Sequence, residues 1–76
     1  SVIVNIFIDK NNYNISKIDY FLIKEIYPRY RQYCAEDGYR PVSKVNFSKR
    51  LKNLKIIVER VAGNKLAAFI TNEIPY

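Results

Sequence analysis

Eight of the thirteen Lys and Arg residues lie between positions 40 and 65: Arg40, Lys44, Lys49, Arg50, Lys52, Lys55, Arg60 and Lys65. Glu59 is the sole acid among them, so the segment carries a local charge of +7. The first 39 residues hold five basic and five acidic side chains and cancel, while the C-terminal stretch adds Glu73, which leaves the net +6 of the whole chain. A contiguous basic segment of this kind is the electrostatic footprint of a polyanion binder, most often of nucleic acid. The same charge would also suit a solvated, solubilising face. Lys49 and Lys52 can act as point charges toward phosphates. Asn46, Arg50 and Asn53 end in planar polar groups that make two-point contacts with base edges, Arg toward guanine and Asn toward adenine. Ser43 and Lys44 just before them, and Arg60, Asn64 and Lys65 after them, complete the candidate DNA-binding set.

Catalytic chemistry is poorly provided for. Histidine is absent and Cys34 is the single cysteine, which excludes a Cys/His zinc finger, a Ser-His-Asp triad, a Cys-His nucleophile and an intrachain disulfide. Cys34 therefore reads as a small core residue. The pair Glu36 and Asp37 has no third ligand in view and reads as the end of a helix rather than a metal site. Tyr27, Tyr30 and Tyr33 offer two readings. They could stack on single-stranded bases, but a three-residue spacing on a helix more often packs a core with hydroxyls reaching outward. No cofactor is expected.

The elements that must position the basic segment can be read from periodicity. With 76 residues, 49% of them hydrophobic, the chain supports one small domain with a real core. Val2, Ile3, Ile6 and Phe7 would share one face of a short helix, although their β-branched content also suits a strand. Asp9–Ser16 is polar and Asn-rich, a loop. Tyr20–Ile23 reads as a short extended segment. A helix follows from Ile23 or Lys24 to Glu36, with Pro28 expected in its first turn and Gly38 as its stop. Tyr39-Arg40-Pro41 is a turn, and Ser43 is placed to cap a third helix whose apolar stripe is Phe47, Leu51 and Leu54. Ile56–Val61 and Leu66–Thr71 read as strands joined at Gly63-Asn64, a hairpin signal. Helices closed by a hairpin in this order predict an α+β winged helix-turn-helix spanning 1–76, with the basic residues on the third helix and the hairpin as wing.

The stretch EIYPRYRQYCAEDGYRPVSKVNFSKRL resembles the C-terminal winged-helix domain of phage- and plasmid-type primase-helicases, including replication initiator proteins of bacterial pathogenicity islands and phage satellites. The resemblance rests on Ile26-Tyr27, Tyr30, Tyr33-Cys34, Asp37-Gly38, Pro41-Val42-Ser43, Phe47 and Leu51, and covers about residues 20–70. Pro28 departs from the family's tyrosine helix. The resemblance implies a non-catalytic piece of a longer, ATP-dependent helicase in a bacterial cytoplasm, a parentage with which the absence of Met agrees. Its implied partner is double-stranded origin DNA, with other subunits of a helicase oligomer as a further partner and no membrane. The chain contains no G-x-x-x-x-G-K-[ST] motif, so any ATP site would lie elsewhere in the parent. A protein-docking winged helix is the alternative. A transcriptional regulator comes third, since it would normally add a dimerisation helix.

Overall fold

A computed structural model describes residues 2–72, so Ser1 and Glu73 lie outside the described residues. The element order is α1 (Ile3–Lys10), β1 (Asn14–Ile15), β2 (Phe21–Leu22), α2 (Ile23–Glu36), α3 (Lys44–Asn53), β3 (Val58–Val61), β4 (Lys65–Ala68) and β5 (Ile70–Thr71). The first segment resolves as a helix because Ile3, Val4 and Phe7 can bury on one side only with a helical period. β2, β4 and β3 form an antiparallel sheet in that order, with Leu22 opposite Ala67 and Val58 opposite Ala68. Three helices, a short strand paired to the inner strand of a hairpin, and the hairpin itself make this an α+β winged helix.

Each helix contributes one aromatic ring to the centre. Phe7 of α1, Tyr30 of α2 and Phe47 of α3 are all buried, with ring centroids 4.7 Å apart for Tyr30–Phe47, 5.6 Å for Phe7–Tyr30 and 6.4 Å for Phe7–Phe47. Tilted rings at these distances gain beyond area burial alone. Ile26, Cys34, Leu51 and Ile70 close around them, and Cys34 is fully buried.

The three helices also end alike. The residue after each C-cap adopts positive φ: Asn12 at 59°, Gly38 at 74° and Lys55 at 69°. The next N–H then reaches back five residues, Tyr13 to the Ile8 carbonyl, Tyr39 to Cys34 and Ile56 to Leu51. This kind of helix stop normally takes glycine, because a Cβ crowds the left-handed region. Gly38 fits and Asn12 is tolerated, whereas Lys55 is strained. Lys55→Gly is therefore expected to stabilise the domain by about 0.5–1 kcal/mol. In urea denaturation the midpoint should rise with the slope unchanged; a midpoint at or below the parent value would contradict this account.

Four local expectations need correction. Pro28 lies five residues after Ile23, in the second turn of α2 rather than the first. The helix tolerates it because Lys24, whose carbonyl Pro28 cannot bond, is exposed and open to solvent. The Asn-rich loop contains β1, which pairs antiparallel with β5, Ile15 opposite Ile70. The expected strand Leu66–Thr71 begins at Lys65 and divides at Phe69. There the backbone donates to Ile57 (2.8 Å) and accepts from Ser16 (3.0 Å), carrying the chain from one sheet to the other. The first hairpin strand starts at Val58 rather than Ile56, which instead completes the stop of α3.

Candidate nucleic-acid interface

The position of α3 is set by two tyrosine hydroxyls. Tyr30 accepts the Val42 N–H at 2.9 Å, and Tyr27 donates to the Val42 carbonyl at 2.8 Å. One peptide segment is thereby clamped to α2 immediately before the helix starts. Ser43 then accepts the Asn46 N–H at 3.2 Å, satisfying a donor that the helix itself cannot. Burial is the main influence on the Tyr30 phenol and raises its pKa above the ordinary value. Desolvation, and after it Asp37, likewise raises Tyr33. These rings belong to the packing of α2 and α3, which decides the tyrosine question in favour of the core.

Between α3, the start of α2 and the wing lies an open groove of about 540 Å³. Among the described residues lining it, Lys24, Lys44, Lys49, Lys52, Arg60 and Lys65 are cationic and none is acidic. Leu22, Ile23, Val45 and Leu66 supply apolar surface between them. Adjacent ammonium groups without carboxylates create a positive potential that low-dielectric walls focus outward. The wing's connection is short, Ala62-Gly63-Asn64, with Gly63 and Asn64 both at positive φ (79° and 57°). Arg60 donates from Nη1 to the Asn64 carbonyl at 2.8 Å, bracing that turn. A guanidinium has five donors and this bond uses one of them.

The candidate residues divide into four groups. Lys44, Lys49, Lys52, Arg60, Asn64 and Lys65 meet around the groove. Asn46 and Asn53 are exposed on α3 but lie outside the groove lining; at about 100° per residue they sit beyond Lys49 on the solvent side of the helix. Arg50 occupies the opposite flank, half-buried, with its Nε shielded from solvent. Ser43 serves as the cap. Lys24 is a groove residue that the charge count did not suggest, because it belongs to the balanced half of the sequence and reaches the groove only through the packing of α2.

Comparison with known proteins gives one family. Residues 5–75 match the model of the poxvirus D5 protein-like family, a domain found in poxvirus D5 and primase-helicase-like proteins. The chain belongs to this family. No curated protein matches the chain, and no solved structure does. Membership of a D5-like family ties the domain to the primase-helicase class, in broad agreement with the resemblance read from the tyrosine helix and the Pro-Val-Ser segment. Among the described residues, no helix is long and apolar enough to cross a membrane.

Proposed function

We propose that this D5-like domain binds duplex DNA at a replication origin and positions a replicative helicase there. It is itself non-catalytic, the C-terminal winged helix of a longer, ATP-dependent primase-helicase. The observation that carries the reading is the convergence of six cations from α2, α3 and the wing around one groove beside the outward face of α3. Lys44, Lys49, Lys52, Arg60 and Lys65 hold phosphates, and Asn46 and Asn53 read base edges, with Arg50 reaching from the flank. The resemblance to initiators of pathogenicity islands and phage satellites supports a bacterial cytoplasmic setting.

Titrating a labelled duplex at several salt concentrations tests this. Each neutralised phosphate contributes about −0.9 to the slope of log K against log salt, so four to six contacts give a slope of about −3.5 to −5.5. The apolar surface from Leu22, Ile23 and Leu66 favours one second reading, a module that docks the helicase to a protein partner or a neighbouring subunit. That reading predicts negligible duplex affinity even at low salt.

A further inference from the structure

Val45 contributes little to the fold. It is 66% exposed, it lies outside the apolar cluster of the described residues, and its β-branched side chain is a poor helix former. Yet it stands in the first turn of α3, on the groove side. Lys49 one turn further along and Lys52 two turns along share that side of the helix, and Lys44 precedes it. Four residues of one helical edge thus present a single compact apolar group bracketed by three ammonium groups.

That arrangement suits one feature of duplex DNA. Each base pair shows a pattern of donors and acceptors in the major groove, and the 5-methyl of thymine is the one apolar group in it. Recognition helices of helix-turn-helix proteins contact base edges with their N-terminal residues while cations hold the flanking phosphates. Charge complementarity brings a polyanion to this edge, and Val45 is the group there that an ammonium cannot replace. The geometry points to Val45 as a specificity-determining residue that reads a thymine methyl. The inference rests on the duplex-binding reading above and adds to it the chemical identity of one contacted group.

The test uses the 76-residue chain and a duplex selected by it from a random pool. Each thymine of the selected duplex is replaced in turn by uracil, which removes the methyl and leaves the hydrogen-bonding pattern intact. At one position affinity should fall about three- to fivefold, the effect of one buried methyl group. Val45→Ala should bind the thymine and uracil duplexes equally at that position while keeping the parent salt slope. Selection of no preferred sequence, indifference to uracil at every position, or a uracil penalty that persists in Val45→Ala would each overturn the assignment. All three leave salt-dependent duplex binding intact, so they are distinguishable from failure of the parent reading, in which no duplex is bound at low salt.

Discussion

Phe47→Ala is expected to destabilise the domain by about 3–5 kcal/mol. Phe47 is fully buried, with its ring centroid 4.7 Å from that of Tyr30, 5.4 Å from that of Tyr27 and 6.4 Å from that of Phe7, so truncation opens a cavity where all three helices meet. A domain of 76 residues has a total stability of about 4–11 kcal/mol, so the variant should be largely unfolded at a urea concentration that leaves the parent intact. Loss of the urea transition, or a large fall in its midpoint, is the measurement. Exposed positions of the same helix serve as the comparison, since surface substitutions usually stay within about 0.5 kcal/mol. A Phe47→Ala transition resembling the parent's would contradict the packing of α3 against α1 and α2.

The second large effect separates the two kinds of contact on the basic surface. Reversing Lys49 and Lys52 together to Glu should lower duplex affinity by about 100-fold or more at 0.1 M salt and reduce the salt slope by about 2, on specific and scrambled duplexes alike. Both lysines line the groove on one side of α3, and neither has a planar fork with which to choose a base. Asn53→Ala should behave differently. Its amide is exposed on the outward face, and its loss should cost about 1–3 kcal/mol on the preferred duplex and much less on the scrambled one. The two duplexes must be measured side by side at one salt concentration. Equal losses on both for Asn53→Ala would mean that α3 touches only the DNA backbone.

Val42 shows why the interface depends on the core beneath it. Its N–H and carbonyl are both held by tyrosine hydroxyls of α2, and the peptide that follows carries Ser43, Lys44 and Val45. Buried and half-buried residues therefore set the height and direction of the exposed side chains of α3. Placing binding groups on a helix whose start is hydrogen-bonded to a neighbouring helix gives them a more defined geometry than a loop would.

Much of this was legible from local chemistry. Ser43 and Asn46 are three residues apart, and Phe47, Leu51 and Leu54 share a helical stripe, so the cap and buried face of α3 follow from short-range sterics and hydrogen bonding. The segregation of charge into residues 40–65 is a property of the sequence alone. The glycine stop at Gly38 was equally local. Lys55 was not, because a lysine gives no sign of positive φ; only the return of Ile56 to the core pulls it into the left-handed region. Pairing of β1 with β5 was hidden for a related reason: a two-residue strand has no period of its own, and its partner lies more than 50 residues away. The groove itself is a tertiary object. Lys24 joins it from a charge-neutral stretch, while Arg50, from the most basic stretch, turns half inward. The sequence determined how much positive charge the domain carries and which helix bears most of it. Which of those cations share one surface was decided by the packing of α2, α3 and the wing, because side-chain direction depends on helix rotation and on contacts between residues far apart in the chain.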